Sequence, residues 1–134
     1  MSDNSLTAAQ SGVYRTPEKL DVARARAKAL DWVELPLGEV TDKTGFMTAC
    51  KTALKLPAHF GNNWDALADC LGDAGVLGAG KVLHLSGAAQ FAKAAGQEYL
   101  TALNVLSETA DYWKGKGNKP FVVLVDGASN LKAL

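Results

Sequence analysis

Residues 56–71, LPAHFGNNWDALADCL, decide the fold because they contain a turn, a helix cap and a helix with two different sides. Gly61 can adopt backbone angles that are closed to bulkier residues, and Asn62 or Asn63 can accept a hydrogen bond from the first free amides of a helix. We therefore expect a helix to begin near Trp64.

The expected helix has an apolar side and an acidic side, since residues three and four positions apart lie close together on a helix. The apolar side holds Trp64, Leu67 and Leu71. The acidic side holds Asp65, Asp69 and Asp73. No Lys or Arg lies between Lys55 and Lys81 to relieve the repulsion between these carboxylates. Two interpretations stay open: a solvated face whose acidic start complements the helix dipole, and an acidic surface that binds a partner.

The length and composition fit one small, electrically balanced domain. The chain has 134 residues, and Lys plus Arg and Asp plus Glu both total 14. A dedicated nucleic-acid binder usually carries a basic excess, so we expect no nucleic-acid partner and a local electrostatic function. Cys50 and Cys70 lack metal or redox spacing, which favours buried free thiols. The polar N-terminus has no apolar run for a signal peptide or a membrane span, which predicts a cytoplasmic protein.

Local signals divide the chain into a leader, a domain and a tail. Residues 1–12 have little to bury and are expected to be a flexible leader, and residues 127–134 a flexible tail. The domain should cover 13–126, with 13–30 as an N-terminal extension. Within that extension, Val13 and Tyr14 could form a short extended contact. Thr16 and Pro17 should then open a helix that runs to about Ala29.

The remaining periodicity predicts strands that alternate with helices. Three strands are expected at residues 32–35, 82–85 and 121–125, the last buried on both faces. Thr41 or Asp42 should cap a helix that ends near Leu54, and residues 88–114 should form a helix in two pieces because Gly96 weakens its interior. This pattern predicts a small layered α/β fold: a three-stranded parallel sheet packed against helices, with an extra N-terminal helical segment.

Motifs for catalysis or cofactor binding are weak. Residues 75–82, GVLGAGKV, approach the spacing of a phosphate-binding loop, but a helix precedes them and a strand follows, the reverse of the required context. His59 and His84 form no metal-binding or nucleophile-base pattern, and His84 is expected to be packed or hydrogen-bonded. We therefore predict no cofactor and no metal. Asp65 and Asp69 could act as an acid and base pair, which keeps an enzyme as an alternative.

The same central stretch resembles the barstar family of intracellular ribonuclease inhibitors. The resemblance rests on Leu56-Pro57, Phe60-Gly61, Asn63, Asp65-Ala66-Leu67 and Asp69-Cys70-Leu71, which keep the order and spacing of the family. It extends over roughly residues 30–126 and includes the predicted strands at 32–35 and 121–125 and the helix around residues 103–108. The resemblance implies a barstar-like fold in a protein that is not an enzyme, is a monomer when free, and acts as an immunity protein.

The resemblance also implies which residues bind a partner. In the family, an acidic helix enters the active site of a ribonuclease, where its carboxylates replace the RNA phosphates. By position, Asp69 matches the principal charged contact, Asp65 a second contact and Glu108 a supporting acid. Further contacts at the rim are expected from Asn62, His59 and Asp73.

Two positions depart from the family pattern. His59 stands where the family has a contacting tyrosine, and Ala68 stands where it has a contacting tryptophan, so the resemblance implies that Ala68 also belongs to the partner-binding surface. These departures keep a second hypothesis open, in which the same scaffold is an interaction module whose partner is not a ribonuclease.

Overall fold

The computed structural model describes residues 5–58, 60–76, 79–117 and 119–134. Within these ranges, the chain forms four strands and five α-helices, preceded by a short 3-10 helix at Ala8–Gln10. The strands are β1 (Gly12–Arg15), β2 (Asp31–Pro36), β3 (Lys81–Ser86) and β4 (Phe121–Val125). The helices are α1 (Leu20–Arg26), α2 (Lys43–Ala53), α3 (Trp64–Leu71), α4 (Ala88–Ala94) and α5 (Gly96–Lys116).

The four strands form one parallel sheet in the order β1-β4-β3-β2. The predicted α/β class and the parallel pairing are confirmed. The predicted number of strands was too low by one, because Val13 and Tyr14 form more than a short contact and pair with Val123 and Leu124. β4 is apolar throughout, and β1 covers the edge that this strand would otherwise expose.

Both faces of the sheet are covered. All residues from Phe121 to Val125 are fully buried, as their continuous apolar run predicts. On one face, Leu83, Leu85, Phe121, Val123 and Val125 pack into the core that α2, α3, α4 and α5 complete. On the opposite face, Val82, Val122 and Leu124 pack beneath Leu6, Tyr14, Ala23 and Ala27. The N-terminal extension is therefore the cover of the second face, and its helix α1 lies on the side of the sheet away from α3.

α1 is shorter than the sequence indicates. The expected cap, Thr16, does not begin the helix, because its backbone N–H donates to the carbonyl of Val125 (3.1 Å) and continues the pairing of β1 with β4. The N-cap is Lys19, whose side chain makes no capping hydrogen bond. The helix ends at Arg26 instead of Ala29, and the chain then turns into β2.

Residues on both sides of the predicted domain limits make ordered contacts. In the expected leader, Leu6 is buried and the hydroxyl of Ser11 accepts a hydrogen bond from the N–H of Phe121 (3.0 Å). In the expected tail, Ala128 is buried and the carbonyl of Lys132 accepts from the N–H of Arg15 (2.9 Å). Residues from both ends thus pack on the domain and supply hydrogen-bond acceptors to the backbone N–H groups of Phe121 and Arg15. The flexibility of the two ends stays a prediction.

The other helices follow their sequence signals closely. Of the two candidate caps, Asp42 begins α2, since its carboxylate accepts a hydrogen bond from the N–H of Gly45 (2.7 Å). The predicted division of the long helical segment is confirmed, with the break at Ala95, directly before Gly96. In the described part of the chain, no helix has both the length and the hydrophobicity needed to cross a membrane.

Candidate partner-binding site

A short turn sets the start of α3. Asn63 is the N-cap, and its side-chain oxygen accepts a hydrogen bond from the N–H of Ala66 (2.8 Å). The residue with a left-handed backbone is Asn62 (φ 55°), not Gly61 as the sequence suggested. Asparagine tolerates this conformation better than most residues because its short polar side chain can hydrogen-bond locally. At Gly61 the constraint is space, because a Cβ atom there would lie 3.1 Å from the side-chain nitrogen (Nδ2) of Asn63.

The two predicted sides of α3 are present in the structure. Leu67 and Leu71 are buried, and the half-buried indole of Trp64 lies with its ring centre 5.7 Å from that of Phe46 on α2. Asp65 and Asp69 are exposed on the other side. The apolar side therefore fixes the helix on the core, and both carboxylates face solvent.

Asp73 does not extend this acidic side, contrary to the helical spacing. α3 ends at Leu71, with Gly72 as its C-cap, and Asp73 lies in the turn that follows. Its carboxylate accepts a hydrogen bond from the N–H of Gly75 (2.8 Å). An aspartate that satisfies a nearby backbone amide favours a turn over a further helical residue, which explains why the periodic pattern stops here.

A buried hydrogen bond joins α3 to α5. The indole nitrogen of Trp113 donates to the carbonyl of Leu71 across 3.0 Å. This carbonyl belongs to the last turn of α3, where backbone acceptors have no partner within the helix. The bond therefore fixes the end of α3 at one position along α5. It thereby also fixes the position of Asp69 relative to Glu108.

A groove of about 340 Å³ lies between the two helices. Its lining consists of Ala68, Asp69, Gly72, Val105, Glu108, Thr109 and Tyr112. The small residues at 68 and 72, one helical turn apart, leave this space open. The structure thus brings together three residues predicted from the sequence, Ala68, Asp69 and Glu108. Asp65 lies one turn before Asp69 and is not part of the lining.

The carboxylates on α3 and at this groove face solvent, and no ion pair between described residues neutralises them. Among the described residues, none of Asp65, Asp69 and Glu108 makes an ion pair, and the groove lining contains no Lys or Arg. The negative potential reaches the neighbouring thiol: burial, followed by the charges of Asp69 and Asp73, raises the pKa of Cys70. The site therefore presents exposed carboxylates that make no ion pair with a described residue, on two helices joined by a buried hydrogen bond.

The remaining predicted contacts lie at the edge of this surface or outside the described residues. Asn62 is exposed directly before α3, and Asp73 is exposed directly after it. His59 lies outside the described residues. In the part of the chain that the structure describes, no cluster of His, Cys, Asp and Glu could hold a metal ion.

Tyr112 belongs to the site and was missed in the sequence. Its side chain is 47% exposed, and its ring makes an edge contact with Trp113. The ammonium of Lys116 lies 5.0 Å from the centre of the same ring. The spacing could have revealed it, because Tyr112 follows Glu108 by four residues and so shares its helix face.

Comparison with known proteins bears on the family and the fold of the chain. A search of curated proteins gives no significant match. The family model described as Barstar (barnase inhibitor) matches residues 30–125, which is most of the chain and includes β2, α3, α5 and β4. The chain therefore belongs to the barstar family.

Proposed function

We propose that this protein inhibits a basic ribonuclease or a ribonuclease-like toxin by placing α3 in its active site. One observation carries the proposal: Asp69 and Glu108, on two helices joined by a buried hydrogen bond, line one groove without a basic residue in its lining. Membership in the barstar family, whose model is described as a barnase inhibitor, supports the same conclusion. Ribonuclease active sites bind phosphates, so a rigid group of carboxylates can compete for the same cationic side chains.

The geometry suggests a distinct role for each residue. Asp69 is the central anion, because it lies on the exposed side of α3 and also lines the groove. Asp65 and Glu108 support it from the preceding turn and from α5. Asn62 and Asp73 contact the partner near the two ends of α3, and His59 is a further contact on this proposal.

Preorganisation favours tight binding by this surface. The N-cap at Asn63 and the buried apolar side of α3 fix the helix before the partner arrives. The partner therefore does not have to order the backbone that presents Asp65 and Asp69, and less free energy is lost on association. The overall charge is balanced, with 14 basic and 14 acidic residues, so attraction comes from this local surface. On this proposal the protein acts in the cytoplasm, as a free monomer before it meets its target, and is not an enzyme.

The test is a titration of a barnase-type ribonuclease with the wild-type protein and with Asp69→Ala, at low and at moderate salt. We expect stoichiometric inhibition by the wild type and a loss of at least about 2 kcal/mol of binding free energy in Asp69→Ala. The matched control is Asp21→Ala, which removes an exposed carboxylate from α1 on the opposite side of the sheet. Equal inhibition by all three proteins would contradict the assignment of Asp69. No inhibition by folded wild type would contradict a target of this class.

A second candidate is an interaction module whose partner is not a ribonuclease. Ala68 favours it, because the barstar family has a large contact side chain at this position, whereas here the groove lining has only a methyl group. Capture experiments with wild-type protein and with Asp69→Ala as paired baits distinguish the candidates. A nuclease retained only by the wild type supports inhibition, and a recurrent partner of another class supports the module. A carboxylate-dependent enzyme is less well supported, since Asp65 does not share the groove with Asp69.

A further inference from the structure

A row of polar side chains crosses the sheet on the face away from α3. Glu34 on β2 and His84 on β3 are register partners, and Asp126 lies two residues beyond Leu124, the register partner of His84 on β4. Residues two apart in an extended chain point to the same face, so the three side chains meet. The Nδ1 atom of His84 lies 2.8 and 3.0 Å from the carboxylate oxygens of Glu34, and its Nε2 atom lies 2.8 Å from an oxygen of Asp126. The sequence prediction that His84 is packed or hydrogen-bonded is confirmed.

This arrangement requires the charged form of the imidazole. Burial raises the pKa of Glu34 and of Asp126, but hydrogen bonds and the charge of His84 outweigh it and lower both pKa values, so both carboxylates are ionised near neutral pH. Ionised carboxylates only accept hydrogen bonds, so each of them needs an N–H from the ring. A neutral imidazole has one N–H, whereas the imidazolium has two. The His84 side chain, which is only 8% exposed, is therefore a buried cation between two anions.

The charged groups that face His84 come from three elements. Glu34 comes from β2, Asp126 follows β4, and Arg24 on α1 reaches only Glu34, to which it donates across 3.3 Å. Burial lowers the pKa of His84, but the hydrogen bonds and the charges of Glu34 and Asp126 outweigh it and raise the pKa above its ordinary value of 6.5. The two groups that hold the proton on the ring therefore belong to the sheet and to the turn that follows it.

Neutral donors hold both carboxylates in place. The indole N–H of Trp32 donates to Glu34 across 2.8 Å, and the backbone N–H of Gly87 donates to Asp126 across 3.2 Å. When the ring of His84 loses a proton, one of the two carboxylates is left facing a nitrogen lone pair. The folded protein then keeps a buried, repulsive contact, and this contact disappears only when the strands separate.

We propose that His84 holds a structural proton: its imidazolium joins β2 to the end of β4 across β3, and makes the whole fold more stable at weakly acidic pH than above neutral pH. Global unfolding removes the ring from both carboxylates and from the protein interior together. The folded chain therefore binds this proton more tightly than the unfolded chain, in which His84 has its ordinary pKa near 6.5.

The sign of the pH dependence follows from this difference. The stabilisation is complete below pH 6.5, where both the folded and the unfolded chain carry the proton. It is lost as the pH rises from that value through the higher pKa of the folded protein. Over this interval the unfolding equilibrium constant increases by at most tenfold per pH unit, because one proton is released.

NMR of the imidazole nitrogens tests the proton directly, in the folded protein with ¹⁵N-labelled histidine. His84 should carry hydrogen on both ring nitrogens at pH 6.5, and it should titrate above this value. His59→Gln assigns the resonances, because His59 is the other histidine of the chain. A single ring N–H on His84 at this pH, or titration at or below pH 6.5, would overturn the proposal.

Denaturant unfolding across the His84 titration tests the effect on stability. The unfolding constant of the wild type should rise over the interval that NMR defines, and His59→Gln should retain this rise. His84→Gln should abolish it. Glu34→Gln keeps an oxygen acceptor but removes one negative charge, so it should lower the pKa of His84 and shorten the interval. If His84→Gln fails to fold, wild type and Glu34→Gln still decide the question: a flat wild-type profile, or the same rise in Glu34→Gln as in wild type, would contradict the structural proton.

Discussion

The indole nitrogen of Trp113 donates a buried hydrogen bond to the carbonyl of Leu71 across 3.0 Å, and so joins α5 to the last residue of α3. This bond satisfies a backbone acceptor that the helix itself leaves unpaired. It also fixes the position of α3 along α5. Each of these helices contributes one carboxylate to the same groove. The stability of the fold and the geometry of the proposed site therefore depend on the same contact.

Replacement of Trp113 by phenylalanine should destabilise the protein. The variant keeps an aromatic ring but leaves the Leu71 carbonyl buried without a partner, which costs about 1–3 kcal/mol. Denaturant unfolding of the wild type and the variant measures the difference. Tyr112→Phe is the matched control, because it changes an exposed neighbour and should shift the unfolding free energy by less than about 0.5 kcal/mol. Equal effects in the two variants would contradict the assigned role of the indole N–H.

The sequence reveals α3 but not this bond, for a physical reason. The cap and the apolar spacing of α3 are local, so Asn63, Leu67 and Leu71 identify the helix within a few residues. Trp113 is 42 residues away from Leu71, and no local pattern connects them. The extra strand β1 was underestimated for the same reason, since it forms to cover an edge of β4 that only the folded sheet creates.

The cap of α3 should contribute measurably to stability. Asn63→Ala removes the acceptor of the Ala66 N–H and should cost about 1 kcal/mol. Asn62, the preceding residue, gives a matched comparison, because a substitution there acts on a left-handed backbone conformation and not on a capping hydrogen bond. Asn62→Ala should cost about 1 kcal/mol, whereas Asn62→Gly should be close to neutral. Denaturant unfolding measures all three, and a costly Asn62→Gly would indicate that the side chain is essential.

Two glycines should respond in opposite directions to alanine. Gly87, at the start of α4, has a φ of 66°, and a Cβ atom there would lie 2.9 Å from the Cα atom of Gly38. Because backbone must move to make room, Gly87→Ala should destabilise the protein by more than about 1 kcal/mol. Gly96 has open space around its Cβ position, at the start of α5, so Gly96→Ala should stabilise by up to about 1 kcal/mol. Thermal or denaturant unfolding measures the change in stability of both variants. An unchanged unfolding free energy in Gly87→Ala would refute the predicted clash.

The sequence identifies the carboxylates of the site, but it does not identify the end of α3 or the groove beside Asp69. Asp65, Asp69 and Glu108 are recognisable from helical spacing and from the family pattern, and the structure places all three on exposed helix faces. Asp73 fits the spacing equally well but lies past the helix end, because its own side chain stabilises a turn. The groove beside Asp69 depends on how α3 and α5 pack, which spacing along either helix does not determine.

The reactivity of Cys70 should report the negative potential at Asp69 without any partner. Burial, followed by the charges of Asp69 and Asp73, raises the pKa of Cys70. Removal of one charge in Asp69→Asn should therefore lower this pKa, increase the thiolate fraction at neutral pH, and speed reaction with a disulfide reagent. Asp65→Asn is the matched control, because Asp65 is not among the groups that shift the thiol.

Cys50 provides the internal reference for that measurement. Its thiol is buried in the core, and burial raises its pKa to about 12, so it should react only when the protein unfolds. If Asp69→Asn accelerates Cys70 while Cys50 stays slow, the effect is electrostatic and local to the α3 surface. If both thiols accelerate together, the variant has lost stability instead. An unchanged Cys70 rate would show that Asp69 does not set the potential at this end of α3, and would weaken the case for it as the central anion.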